Sequence, residues 1–247
     1  MNIKEAKKSR MKLPEEILIF DNPDKTYHES WKSGSGKKSG KRDLLNIPHP
    51  FRAIIVGPPN SGKTLLIKNI LIRADPEFQE CYVIHCDAGF TKEYEDVNAT
   101  LLSDIPNPNE WKGKVKTLVI LDDLDYSHLE KNKEQSKALN RLFGFCSTHK
   151  NISVCLTAQD YFNIPATIKR MSNFFIIWKN IDSDSFKMIA RKCGMKLEDF
   201  EHIFKNYIGD DPHNSLWIDL TKDSPAKLRK NGYEIIPFDE TSKAFVM

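Results

Sequence analysis

Residues Phe51–Leu71 read FRAIIVGPPNSGKTLLIKNIL: an apolar run, a loop of glycine and proline, then a helical pattern. The loop, Gly57-Pro58-Pro59-Asn60-Ser61-Gly62-Lys63-Thr64, fits G-x-x-x-x-G-K-[ST], and each position in that spacing has a physical task. Ala53–Val56 has the composition of a buried strand that aims the loop. Gly57 and Gly62 permit backbone conformations in which successive N–H groups turn inward to cradle phosphate oxygens. Lys63 opens the next helix, so its ammonium and the helix's positive end both face the β- and γ-phosphates. Thr64 offers a hydroxyl to Mg2+. Leu65, Leu66, Ile67, Ile70 and Leu71 recur at helical spacing, which completes the strand–loop–helix context. A chain of this length shows the pattern by accident only about once in a hundred. Gly57–Leu65 therefore reads as the binding loop for a nucleoside triphosphate. A similar stretch, SGSGKKSGKR at Ser33–Arg42, lacks the first glycine, the Ser/Thr and a preceding strand, and reads as a flexible linker.

The bulk properties narrow the class. With 247 residues, 40% hydrophobic and 29% charged, the chain can bury one substantial α/β core. No apolar run approaches the ~20 residues that span a bilayer, and the lysine-rich N-terminus lacks the apolar core of a signal peptide. We therefore expect no membrane association and no secretion. The five cysteines include no C-x-x-C pair, and most fall inside expected strands or helices, as reduced thiols do. His85, Cys86 and Asp87 are adjacent, a weak pattern for a metal site. A net charge of +3 does not by itself imply nucleic acid, but residues 1–42 hold 11 Lys/Arg against 6 Asp/Glu. That excess is either a solvated tail or a phosphate-contacting arm.

Along the chain, residues 1–47 read as a basic, partly flexible leader with one short ordered segment at Leu13–Phe20. Residues 48–247 read as the nucleotide-binding domain with C-terminal helical and strand additions. The pattern alternates in the α/β manner and predicts a mostly parallel central sheet flanked by helices. Expected strands are Ala53–Val56, Cys81–His85, Thr117–Leu121, Ile152–Thr157 and Phe174–Trp178. Expected helices are Lys63–Arg73, Thr91–Leu102, Glu134–Thr148 and Ala166–Met171. Two more helical patterns follow, Ser183–Lys192 ending at Gly194 and Leu197–Tyr207 ending near Gly209. Ser215–Leu220 and Tyr233–Ile236 read as late strands.

A phosphate cradle alone hydrolyses nothing. TLVILDDLD at Thr117–Asp125 supplies an apolar strand that ends in two acids. Asp122 is placed to hold the Mg2+ shell, directly or through water. Asp123, one residue on, is placed to orient and deprotonate the attacking water. Asp125 reads as a residue that caps or solvates the turn. The next strand, NISVCLTAQD, ends in Gln159, whose amide can sense the γ-phosphate. These parts suit hydrolysis by water better than transfer to a small substrate.

The order GPPNSGKT, LVILDDLD, then STHKNISVCLTAQDYFNIPATIKRMSNFFIIWK resembles the poxvirus-type and virophage genome-packaging ATPases of the FtsK–HerA superfamily, from about Pro48 to Leu220. The third motif is the most specific: Gln159, Ile164-Pro165, Lys169-Arg170 and Asn173. The resemblance implies an additional-strand P-loop fold, ring assembly, Mg2+-dependent ATP hydrolysis and pumping of double-stranded DNA into a preformed capsid. It implies a capsid or portal-vertex partner, with the protein in the host cytoplasm or the virion. It makes Lys63 and Thr64 contacts to nucleotide and Mg2+, Asp122 the Mg2+ acid and Gln159 the sensor. Two departures stand out. The second acid is Asp123, one methylene shorter than the more frequent Glu. Thr148-His149 stands where related enzymes often carry Arg-His, which leaves Arg170 or Arg141 to act as the arginine finger, with Lys150 a poor substitute because it lacks a planar fork. The rival readings are a nucleotide-gated module that binds DNA or capsid without turnover, and a small-molecule P-loop kinase.

Overall fold

The computed structural model describes residues 45–237 apart from 90, 91, 98, 180, 181 and 223. The Leu13–Phe20 segment, the Ser33–Arg42 linker and the basic arm lie outside the described residues.

The described residues form one nine-stranded sheet, and its strand order places the site. The strands are β1 (Arg52–Val56), β2 (Glu80–Ile84), β3 (Thr100–Leu102), β4 (Thr117–Leu121), β5 (Ile152–Ala158), β6 (Phe174–Trp178), β7 (Ser215–Asp219), β8 (Leu228–Lys230) and β9 (Glu234–Ile235). Across the sheet they run β3-β2-β4-β5-β1-β6-β7-β8-β9. The first six are parallel, and β7, β8 and β9 continue the sheet antiparallel. β5 thus inserts between β1 and β4, the additional-strand arrangement. Every residue of β4, β5 and β6 is buried, as a sheet covered on both faces requires.

Side chains alternate between two cores. Ile54 and Val56 of β1 face one core with Leu139, Phe143, Ile168, Phe200 and Ile203. Ala53 and Ile55 face the other with Leu66, Ile67, Ile70, Tyr94 and Trp217. The helices over the first face are α2 (Tyr126–Lys131), α3 (Lys133–Arg141), α4 (Ala166–Met171), α5 (Ser183–Lys192) and α6 (Leu197–Ile203). α1 (Lys63–Ile72) covers the second.

Most expected elements form within a residue or two of their expected ends, and the exceptions have physical causes. Among the described residues of Thr91–Leu102 the expected helix does not form. Glu95–Val97 is a single 3-10 turn, and Thr100–Leu102 pair with Tyr82–Ile84 as an edge strand. Tyr94 and Val97 sit three apart, a helical spacing, but here they anchor an irregular segment in the second core. α2 was not expected, because it starts from Asp125, whose carboxylate accepts from the N–H groups of Ser127 and His128, and not from apolar periodicity. The expected Glu134–Thr148 helix becomes α3, a π turn at Leu142–Cys146 that buries Leu142, Phe143 and Cys146, and a last turn at Ser147–His149. Likewise α6 passes into a π turn at Phe204–Ile208 and stops at Gly209, φ +74°.

Candidate active site

Three adjacent parallel strands, β4, β5 and β1, deliver Asp122, Gln159 and the Gly57 loop to the same edge of the sheet. Clefts outside the carboxyl ends of parallel strands are where such sheets bind ligands. Gly57 follows β1, and its N–H donates to Ala158 O at 3.2 Å. Glycine is required here by close approach and not by a positive φ. A Cβ on Gly57 would lie 2.7 Å from Ser61 Oγ and 2.9 Å from Trp178 Cε3. Positive φ is carried instead by Asn60 (+61°) and Gly62 (+97°). Gly62 precedes the first turn of α1 and accepts from Leu66 N at 2.8 Å.

Lys63 Nζ folds into the loop and donates to Gly57 O (2.9 Å) and Pro58 O (2.8 Å). Burial holds its pKa below the usual lysine value, against the opposing pull of Asp123 and Asp122. Ser61 is buried, and its hydroxyl has no hydrogen-bond partner. Pro59, Asn60 and Leu65 are exposed, Pro58 half-buried.

The two acids part company at the end of β4. Asp122 is 4% exposed, and both its oxygens are occupied by hydroxyls. Thr157 Oγ1 donates to Oδ1 at 2.6 Å and Tyr94 OH to Oδ2 at 2.7 Å. Burial, then the Asp122 carboxylate, push the Tyr94 phenol far above its ordinary range, so Tyr94 remains a donor. Asp123 is exposed and has φ +49°, an uncommon conformation for a residue with a side chain. That conformation is held by its own N–H donating to Thr157 Oγ1 at 3.0 Å. Gln159 Nε2 donates to Asp123 Oδ1 at 3.3 Å. The Asp123 carboxylate and the Gln159 amide therefore meet, beside a cleft of about 330 Å3 also lined by Asp125, Asp160 and Asn163.

The remaining third-motif residues build the site and do not enter it. Lys169 Nζ donates to Phe162 O at 2.9 Å and lies 4.9 Å from the Tyr161 ring centroid, bracing the loop after Gln159. Asn173 Oδ1 accepts from Arg52 N at 2.9 Å, joining the starts of β6 and β1. Arg170 is exposed in the last turn of α4, which returns the chain to the start of β6. It therefore sits at the opposite edge of the sheet from its own cradle. Arg141 is exposed on α3. Lys150 Nζ is committed to Pro108 O (2.7 Å) and Trp111 O (2.8 Å). At the departure from the family pattern, Arg52 Nη1 donates to Thr148 Oγ1 at 3.3 Å. A guanidinium thus stands beside Thr148, delivered from β1.

The donor set fits a phosphate and its cation. The buried partnerless Ser61 hydroxyl and the inward Lys63 ammonium suit phosphoryl oxygens. A threonine hydroxyl and a carboxylate are oxygen ligands of the hard type Mg2+ takes. The sequence reading missed Thr157, Tyr94 and Glu93, whose carboxylate accepts from Thr64 Oγ1 at 3.3 Å. Thr157 had one available signal, its position two residues before Gln159 on the same strand. His85, Cys86 and Asp87 do cluster, their ligand atoms within 4.8 Å, but Nδ1 of His85 already accepts from Asp87 N.

The sheet with its inserted strand, and the loop on β1, are those of a P-loop NTPase. The chain belongs to the ATPase family associated with various cellular activities (AAA), whose model matches residues 53–179. Among solved structures, the genome packaging NTPase B204 from Sulfolobus turreted icosahedral virus 2, in complex with sulfate, superposes with a TM-score of 0.56 at 13% identity. That match covers 74% of this chain and 96% of B204. B204 from Sulfolobus turreted icosahedral virus, described as a DNA-packaging ATPase, gives 0.53 at 16% identity over 69% and 93% of the two chains. At these identities the likeness is one of fold. No curated protein matches the chain in sequence. Among the described residues no helix is long and apolar enough to cross a membrane.

Proposed function

We propose that this ATPase is a motor of the FtsK–HerA type, which couples ATP hydrolysis to translocation of double-stranded DNA into a preformed capsid and works as a homo-oligomeric ring in the infected cell. The observation that carries the hydrolytic part is the contact of Gln159 with Asp123 at the cradle's edge, a pair suited to gripping water. The packaging part is supported by a fold shared over nearly the whole length of B204.

In this reading the loop N–H groups, the N-terminal end of α1 and Lys63 bind the β- and γ-phosphates. Thr64 and Asp122 would hold Mg2+, which when bound screens the charge on the phosphoryl oxygens. Gln159 and Asp123 orient a water in line with the γ-phosphorus. Its oxygen forms the new P–O bond as the bond to the ADP oxygen breaks with its electron pair, and the water's proton passes to the Asp123 carboxylate. Thr157 keeps both acids aimed through its two hydrogen bonds. Arg170 lies too far round the sheet to serve its own cradle and acts, in this reading, on the nucleotide of the adjoining subunit. Arg52 lies at the same edge, and both bear on Lys192: Lys192 Nζ donates to Arg170 O at 2.9 Å, and Arg52 helps lower its pKa after burial and against Cys193.

The test is steady-state ATP hydrolysis by the purified protein with and without long duplex DNA. We expect stimulation that depends little on sequence and fades steeply with added salt, as counterions compete for each phosphate contact. Hydrolysis indifferent to DNA refutes the motor. Phosphoryl transfer to a small acceptor in place of water refutes the hydrolase.

A further inference from the structure

The segment 92–97, between β2 and β3, reaches both groups that the sequence singled out for a cation. Glu93 Oε2 accepts from Thr64 Oγ1 at 3.3 Å, and the next residue, Tyr94, donates to Asp122 Oδ2 at 2.7 Å. The segment is pinned there. Tyr94 and Val97 are buried in the second core, and Lys68 of α1 pairs with Asp96 at 2.8 Å. The residues that follow Glu93 therefore anchor the segment, and the Glu93 carboxylate lies beside the first turn of α1. Independently, the buried and partnerless Ser61 hydroxyl inside the same loop marks it as a place for a ligand.

We propose that Glu93 is a metal-positioning carboxylate, which joins Thr64 and Asp122 in the oxygen environment of the Mg2+ that accompanies the nucleotide. The proposal rests on the hydrolase reading above and deepens it. Mg2+ gives up its water reluctantly and keeps several of its waters in nucleotide sites, so it needs acceptors around those waters as well as direct ligands. Thr64 is a single hydroxyl, and Asp122 divides its two oxygens between Thr157 and Tyr94. Glu93 adds an exposed acceptor beside Thr64. Tyr94, from the same segment, steadies the Asp122 carboxylate, so one short stretch of chain reaches both Asp122 and Thr64.

The test measures binding of ATPγS by calorimetry over a range of Mg2+ concentrations, using the full chain. Losing an outer carboxylate of this kind typically weakens metal affinity ~10–100-fold. Glu93→Gln should raise the Mg2+ concentration at half-maximal nucleotide binding about tenfold or more, while leaving Mg2+-free binding and the melting temperature of the nucleotide-free chain near the parent's. Glu93→Asp should fall between. Glu95→Gln removes the same charge two residues away and should leave the midpoint unchanged. A Glu93→Gln midpoint within about twofold of the parent's, well below the scale expected for such a carboxylate, overturns the proposal. So does an equal shift in Glu95→Gln, which would mean general electrostatics. A parent chain that binds no ATPγS at any Mg2+ concentration overturns the hydrolase reading and this role together.

Discussion

Thr157→Val keeps the shape of a β-branched residue on β5 and removes a hydroxyl that does two jobs. In the parent that hydroxyl donates to the buried Asp122 carboxylate at 2.6 Å and accepts from the N–H of Asp123 at 3.0 Å. A hydrogen bond to a charged group contributes ~1.5–3 kcal/mol and a neutral one ~0.5–1.5 kcal/mol, so the substitution should cost about 2–4 kcal/mol. For a chain of this size that lowers the melting temperature by about 5–15 °C. Tyr94→Phe should cost about 1.5–3 kcal/mol, since it strips Asp122 Oδ2 of the hydrogen bond from the Tyr94 hydroxyl. The double variant leaves a buried carboxylate with neither hydroxyl, and its loss should exceed the sum of the singles by ~0.5–3 kcal/mol, as for residues in one network. Urea unfolding of the four proteins closes the cycle. Hydrolysis should also fall in Thr157→Val, by ~10-fold or more, because Asp123, the proposed general base, loses the bond that holds its left-handed backbone and with it its aim. Stability within about 0.5 kcal/mol of the parent, the range of an ordinary surface substitution, would refute the reasoning.

Four further outcomes follow from the same geometry. Asp123→Asn should cut hydrolysis ~10²–10⁴-fold while ATPγS binds as in the parent, and an equal loss of binding contradicts its role as base. Gly57→Ala should cost ~1–3 kcal/mol of stability and weaken nucleotide binding, because its Cβ would meet Ser61 and the Trp178 ring. Trp178→Leu in the same chain should restore part of the loss, and no restoration counts against the packing argument. Arg170→Ala and Lys63→Ala should each be nearly inactive alone, since an arginine lent across an interface contributes ~10³–10⁵ in rate. Mixed assemblies, shown to form by native mass measurement, should recover activity, and no recovery turns attention to Arg141 and Arg52. Finally, His49 is bonded to Ser153 Oγ (2.7 Å) and Asn151 Oδ1 (2.9 Å), and burial, aided by Lys116 and resisted by the Asn151 bond, drives its pKa from 6.5 to about 4. The unfolded chain therefore binds the extra proton first. Stability should be intact above pH 6.5 and fall by ~1–2 kcal/mol, discounted for partial exposure, as pH drops from 6.5 to 4. His49→Gln should flatten that slope in urea titrations at stepped pH.

The sequence alone determined what rests on local spacing. The Gly57–Thr64 loop, the apolar run that ends in Asp122, and the strand that ends in Gln159 each carry their meaning within ten residues. The cap at Gly194, φ +71°, and the helix Ala166–Met171 were legible for the same reason. Tertiary structure decided whatever depends on strand order. Thr157 meets Asp122 from 35 positions away, and Tyr94 meets it from 28, because β5 lies beside β4 and the segment after β2 folds back over α1. No periodicity records such a meeting. The helix expected over Thr91–Leu102 failed for the same reason, since Tyr94 and Val97 bury as anchors of an irregular segment there. Gly57 shows the division within one residue. Its place in the motif was plain from the sequence, but its reason is the Trp178 ring packed against it from β6, on the far side of 120 residues of chain (about the span of one such core).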